Sequence, residues 1–207
     1  MSNKNDINKP SVYGVTANIL NQIASNLDAS TTKATLSNLR NSISKPYSQT
    51  IEVFSTLYRY LPDSFISEYG DLSYQEKAII TTLQIFSIHQ QGNSQSIFLE
   101  ADDENKYKNI GYALTVLRTD ENAKSTDRRF NAMISADTFE DLTFHLRQLI
   151  SLLKSRSDQK VNYAKLAQDL YYLQIPSMRE NIKLSWAKEY YRFNNQEKNN
   201  KGEENEW

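Results

Sequence analysis

Apolar residues recur at intervals of three and four along most of this chain, the spacing that lines up one face of an α-helix. Val12, Val15, Ile19, Ile23 and Leu27 form a first stripe. Leu36, Leu39 and Ile43 form a second that ends near Pro46, because the residue before a proline resists helical geometry. Ile51, Phe54, Leu57, Tyr58 and Leu61 make a third, stopped at Pro62, and Tyr74, Ala78, Ile79, Leu83 and Phe86 a fourth that Gly92 closes. The four predict an N-terminal helical bundle over residues 11–92. Residues 93–109 are polar and acidic, without periodicity, and read as a polar connection.

A second group opens with Ile110, Leu114 and Leu117. The stretch "STDRRFNAMISAD" (125–137) predicts the first turns of a helix, with Phe130, Met133 and Ile134 on one face, Arg128 roughly opposite and Arg129 on a flank. Thr138 with Asp141 three residues on resembles a capping box ahead of Leu142, Leu146, Leu149 and Leu153, the clearest packing seam in the chain. Tyr163, Leu166, Leu170 and Leu173 mark another helix, and Pro176 separates it from a last one with Ile182, Trp186, Tyr190 and Phe193. This C-terminal bundle covers 110–193, while residues 1–10 and 194–207 have the composition of disordered ends. The expected fold class is all-α: two packed helical bundles of about four to five helices each.

Composition narrows the function classes. Five glycines and four prolines among 207 residues are few for strand-and-turn architecture. The absence of cysteine removes disulfide scaffolds, thiolate zinc sites and cysteine nucleophiles. No stretch approaches the roughly 18 apolar residues of a membrane helix, and "MSNKNDINKP" lacks the apolar centre of a signal peptide. A cytoplasmic location with no membrane partner is the expectation.

Catalytic chemistry has little to work with. His89 and His145 are the only histidines and sit in no metal-binding or nucleophile-activating motif. The glycines at 14, 70, 92, 111 and 202 are too scattered to form a phosphate-cradling loop. Asp102 and Asp103 do not complete a magnesium motif, since Lys106 stands where a third acid is expected, and adjacent carboxylates on a polar loop read as a solvated turn. The expectation is no enzyme, no cofactor and no metal; an interaction protein is the better class.

Charge supplies the remaining lead. The formal net charge is -1, yet the signs are segregated: Lys33, Arg40, Lys45 and Arg59 face Glu52 alone, whereas Asp63, Glu68, Asp71 and Glu76 follow with no base between them. Arg118, Lys124, Arg128 and Arg129 lie close together, with Arg147, Lys154, Arg156 and Lys160 further on. A cation in the first turn of a helix loses roughly 0.3–1 kcal/mol against the helix dipole, so something negative is expected to answer Arg128 and Arg129. Asp120, Glu121 and Asp127 are near enough in sequence to do so, and so is an anionic ligand; spacing leaves both open.

The ordered segments "NIGYALTVL" (109–117), "DRRFNAMISAD" (127–137), "FEDLTFHLRQLISLLK" (139–154), "VNYAKLAQDLYYL" (161–173) and "SWAKEYYR" (185–192) resemble the family of the small subunit of the type I-E CRISPR Cascade complex, CasB. "ATLSNLRNSIS" (34–44) resembles that family's early arginine-containing helix, although Asn41 stands where the family often has a second arginine; "FSIHQQGN" (86–93) falls where its first bundle closes. The resemblance spans about residues 12–192. It implies an all-helical, non-catalytic subunit, paired with a second copy of itself beside the large and backbone subunits of a crRNA-guided complex. It further implies contact with target DNA, chiefly the displaced non-target strand, in stabilising the R-loop. Arg40, Arg128 and Arg129 are carried over as nucleic-acid contacts from the matching segments, and Arg118, Arg147 and Lys154 are added from charge alone. Tyr163, Tyr171 and Tyr190 lie on apolar stripes and are expected in the core. The competing expectation is a helical adaptor that binds only protein, with its arginines paired internally.

Overall fold

The structure, a computed structural model, describes residues 9–46, 49–100, 102 and 104–203; for Thr56 and from residue 193 onward it describes the backbone alone. The termini expected to be disordered therefore lie largely outside the described residues. The chain is all-α, in the order α1 (Val12–Ala24), α2 (Ser30–Asn41), α3 (Ile51–Leu57), a 3-10 turn (Asp63–Phe65), α4 (Tyr74–Gln90), α5 (Ile110–Leu114) continuing as a 3-10 turn (Thr115–Leu117), α6 (Ala123–Ile134), α7 (Phe139–Arg156), α8 (Tyr163–Leu173) and α9 (Pro176–Glu203). Among the described residues, no helix is long and apolar enough to cross a membrane.

Local chemistry sets many of these boundaries. Ser11 caps α1 by accepting from the Gly14 amide at 3.0 Å. The reciprocal capping box belongs to α4 and went unread in the sequence: Ser73 accepts from the Glu76 amide at 3.0 Å while Glu76 Oε2 accepts from the Ser73 amide at 2.8 Å. Glu76 is buried, and its oxygens also accept from the Ser67 amide at 3.0 Å and from the Tyr58 hydroxyl at 3.0 Å. Thr138 caps α7 as expected, accepting from the Asp141 amide at 3.0 Å, but its hydroxyl then donates to the Asp141 carboxylate at 2.7 Å. After α4, Gly92 turns the chain away with a φ of 88°, a conformation that favours glycine. Pro176 opens α9 at the first helical position, where its missing N–H has no intrahelical partner to lose.

Helices α4 and α8 form the centre. α4 is buried around most of its circumference and packs against α2, α7 and α8; α8 in turn receives α1, α4 and α9. Buried residues from Val12 to Tyr190 belong to one apolar cluster, so the expected division into two bundles is crossed by the packing of α1 and α4 on α8. The segment 93–109 also differs from a plain polar connection. Ile97 and Phe98 are buried, and the backbone pairs with Val161 in a single parallel bridge, Leu99 N donating to Val161 O at 2.9 Å and Val161 N to Ile97 O at 3.1 Å. A run of three apolar residues, Ile97, Phe98 and Leu99, ahead of an acidic stretch is too short to register as periodicity.

Other differences have local causes. α3 is only seven residues long, and its inner face is Val53 and Leu57, continued by Leu61, leaving Ile51 exposed. α9 runs to Glu203, past Asn194, where the tail was expected to begin; that stretch carries no proline, and no glycine before Gly202. α5 and α9 meet so closely that a Cβ on Gly111 would lie 2.0 Å from the Trp186 carbonyl oxygen. Trp186 is itself held by Asp169, whose Oδ2 accepts from the indole N–H at 2.8 Å while its other oxygen pairs with Lys165. Burial pushes the Asp169 carboxyl above the ordinary carboxylate range, and these partners oppose the shift.

Because the clash at Gly111 is with backbone, Gly111→Ala is expected to lower the unfolding free energy by about 2–3 kcal/mol. Gly70→Ala, where an added Cβ meets nothing within 4 Å, is expected to stay within about 0.5 kcal/mol of the parent. Urea unfolding of the two variants measures the contrast.

Candidate nucleic-acid interface

α6 is pinned to α9 by its apolar face. Phe130 and Met133 are fully buried, and the Phe130 ring stacks on Tyr190 with centroids 3.8 Å apart and planes within 6°. Asp127, one residue before the two arginines, accepts from Arg118 Nε at 2.6 Å and Nη2 at 3.1 Å, and from the Tyr190 hydroxyl at 2.9 Å. The Arg118 guanidinium also lies over Tyr190 and Tyr191, 5.4 and 5.1 Å from their centroids. Its side chain is 12% exposed and that of Asp127 25%. Arg118 thus ties the turn after α5 to α6 and α9. Burial, together with the Asp127 carboxylate, pushes the Tyr190 hydroxyl far above its ordinary range.

Arg128 and Arg129 behave differently. Both are exposed, and among the described residues neither forms an ion pair with a carboxylate within 4 Å. They are not in a first turn. α6 begins at Ala123, with Asn122 at the N-cap, so Arg128 and Arg129 lie in its second turn. The helix-dipole penalty fades within the first turn, and the electrostatic anomaly expected from the sequence is removed by two extra residues of helix. Helical signals ahead of Ser125 are weak, because Ala123 and Lys124 carry no cap and no apolar stripe.

The two arginines face α7. With Lys124 and Glu121 they line an open groove of about 770 Å³, whose other wall is Phe144, His145 and Gln148 of α7. Three cations thus meet one carboxylate there.

A second basic cluster lies on the other flank of α7. Arg40, in the last turn of α2, donates to the Ser87 carbonyl near the end of α4 at 3.2 Å, and Lys154, in the last turn of α7, reaches Gln91 Oε1 at 3.4 Å. Partial burial lowers the Lys154 ammonium from its ordinary value, and the positive charge of Arg40 lowers it further. Burial alone lowers the Arg147 and Arg40 guanidinium groups. Among the described residues no acid pairs with Arg40, Arg147 or Lys154. At 3.6 residues per turn, Arg147 and Lys154 share one flank of α7, His145 and Leu152 the other, and Phe144, Gln148, Ser151 and Ser155 the outer ridge between them. From Leu142 to Arg156 this helix carries no acid.

His89, close to Lys154, is buried, and its Nδ1 lies 2.9 Å from the Tyr163 hydroxyl. Burial, with the Lys154 charge second, pushes its imidazole down to about 4. Tyr163 and Tyr190 are buried and Tyr171 partly so. Asp102 closes a turn by accepting from the amides of Glu104 and Asn105 at 2.9 and 2.7 Å; Asp103 lies outside the described residues. Among the described residues no group of three or more His, Asp or Glu side chains is arranged to hold a metal ion.

In an all-helical fold, cations with no carboxylate partner among the described residues thus stand on both flanks of α7. A family profile described as CRISPR-associated protein Cse2 matches residues 35–191, and the chain belongs to that family. No curated protein matches it. Among solved structures, it is similar to CasB from Thermobifida fusca, with 22% identity, 87% of this chain and 97% of the other covered and a TM-score of 0.68. It is also similar to CasB from M. ruber, with 21% identity, 92% and 98% covered and a TM-score of 0.68. A chain of a CRISPR RNA-guided surveillance complex matches at 16% identity, with 88% and 94% covered and a TM-score of 0.63. At these identities the likeness is one of fold.

The site separates two kinds of arginine. Arg118→Ala should destabilise the fold by about 1.5–3 kcal/mol, the worth of hydrogen bonds to a charged group. Arg128→Ala should stay within about 0.5 kcal/mol, and denaturant midpoints distinguish the two. His89 should make stability depend on pH. Its folded value lies below the roughly 6.5 of a free imidazole, so the unfolded chain binds the proton more readily. The contribution is complete above pH 6.5 and is lost toward pH 4, at up to about 1.4 kcal/mol per pH unit. Subtracting the urea-unfolding profile of His89→Gln from that of the parent isolates this component.

Proposed function

We propose that the protein is a non-catalytic small subunit of a type I-E crRNA-guided surveillance complex, and that it stabilises the R-loop chiefly by holding the displaced non-target strand without reading its sequence. The observation that carries this reading is the paired arrangement of cations about α7, with Arg128 and Arg129 on one flank and Arg40, Arg147 and Lys154 on the other. Phosphates crossing the uncharged outer ridge of α7 would meet positive charge on both sides. Arg40 spends one donor on the Ser87 carbonyl, leaving the rest of its guanidinium for a phosphate. Arg118, bound to Asp127, drops out of the proposed contact set.

Exchange of a DNA duplex for an RNA–DNA hybrid is nearly balanced, so a few backbone contacts to the displaced strand tip it without base readout. The partners in this reading are the large and backbone subunits, a second copy of the chain, the crRNA and the target DNA. The complex would act inside the cell, and the small subunit needs no cofactor for this work. Exposed aromatic side chains at Tyr60, Tyr69 and Tyr74, in the acidic stretch with Asp63, Glu68 and Asp71, favour protein contacts there. They support the adaptor reading as a second role.

A double reversal, Arg128→Glu with Arg129→Glu, in the reconstituted complex separates the two. Strand holding predicts normal assembly, a shorter R-loop lifetime, and a salt dependence of target binding weakened by about two phosphate contacts. Lost assembly with an unchanged R-loop lifetime would leave only the adaptor.

A further inference from the structure

Phe144 is the odd residue on α7. The seam residues around it, Leu142, Leu146, Leu149, Ile150 and Leu153, are buried, whereas Phe144 points to the outer ridge and is 50% exposed. A single exposed apolar side chain needs no explanation by itself. Its surroundings supply one: the ring sits in the wall of the groove opposite Arg128 and Arg129, and the His145 ring meets it edge-on, with centroids 5.5 Å apart and planes at 72°. An aromatic face across a groove from cations that carry no carboxylate partner is the arrangement by which single-stranded nucleic acids are held, phosphates on the cations and a base on the ring.

We infer that Phe144 is a stacking platform for one base of a single strand whose phosphates lie on Arg128 and Arg129. The charge of the groove selects the occupant. Lys124, Arg128 and Arg129 against Glu121 alone suit a polyanion with apolar faces, and a duplex offers none, because its bases are stacked on each other. A single strand presents both its phosphates and its bases. Stacking of this kind tolerates any sequence, since every base has a π-face, and so deepens the strand-holding role on which it rests without adding sequence preference.

The test measures binding of fluorescein-labelled oligo-dT, and of the same backbone with abasic sites, by anisotropy at low salt, using the full chain. Phe144→Ala is expected to weaken oligo-dT binding about tenfold, to leave abasic binding unchanged and to keep the salt slope; Phe144→Trp should restore oligo-dT affinity. Because the side chain is exposed, circular dichroism of the variants should match the parent. Equal affinity of the parent for both oligonucleotides, or equal losses on both in Phe144→Ala, would overturn the platform while leaving the phosphate contacts standing. Absence of binding to either oligonucleotide by the parent would count against the strand-holding reading as well. A change in self-association in Phe144→Ala, seen by sedimentation with oligo-dT affinity unaltered, would make the ring a contact between copies and sink the proposal.

Discussion

The single carboxylate of Asp127 decides which arginine beside α6 is structural, Arg118, and leaves Arg128 and Arg129 without a carboxylate partner. It takes two hydrogen bonds from Arg118 and one from Tyr190, and Tyr190 carries the stacked ring of Phe130. One short stretch of α6 is thereby fixed to α9 through an aromatic stack and to the turn after α5 through an ion pair. With its acid committed inward, the same helix turns Arg128 and Arg129 outward. Were Asp127 to release Arg118, the guanidinium would be left partly buried beside two aromatic rings, and the carboxylate would be available to the neighbouring cations. A partly desolvated pair with several hydrogen bonds resists that exchange far better than an exposed pair.

α7 is the second constraint, because it serves the core and the surface at once. Its buried seam docks on α4 and α6, and its acids, Glu140 and Asp141, occupy the first turn while Lys154 and Arg156 occupy the last, in agreement with the helix dipole. Arg40 approaches the carboxyl-terminal end of α4, where orphan carbonyls attract positive charge, and this contact draws it toward Lys154. Two cations are brought together there by a capping interaction. The mutual repulsion is tolerable because both remain partly exposed to water, and it would be relieved by any anion that bridges them.

How much of this was legible in the sequence depended on whether a feature is local. The stripes of α1, α7 and α8 are long and regular, so their buried faces were readable, as were the Thr138 cap and the breaks at Gly92 and Pro176; α2, expected to run to near Pro46, ends at Asn41 and leaves Ile43 outside it. The all-helical class and the family resemblance were readable too, and the family is now established. The start of α6 was not, because residues 123 and 124 have neither cap nor stripe, and an error of two residues turned a second-turn position into an apparent dipole conflict. The bridge between Phe98 and Val161 was hidden because its partners lie far apart in sequence. Arg118 and Arg128 differ by nothing in composition or spacing; which one meets Asp127 is decided by the packing of α9, a tertiary fact. Phe144 lies off the seam of Leu142, Leu146, Leu149 and Leu153 at helical spacing, but that α6 sets Arg128 and Arg129 across a groove from it is a tertiary fact.

A net charge of -1 fits a strand-holding role better than the bare number suggests. Affinity for nucleic acid grows with the number of phosphates neutralised, and so does its sensitivity to salt. A strongly basic small subunit would bind any nucleic acid in the cell, whether or not a target had been found. The acids of residues 63–76 and the loop around Asp102 offset the cations in the total while leaving the surface about α7 locally positive. If the chain holds the strand as proposed, binding by the isolated chain would be weak, and tethering beside the displaced strand would supply a high effective concentration that makes the same few contacts sufficient. On this reading the specificity of the proposed site comes from where a larger complex would place it, and the residues about α7 need only recognise what every single strand carries: phosphates, and bases with an open face.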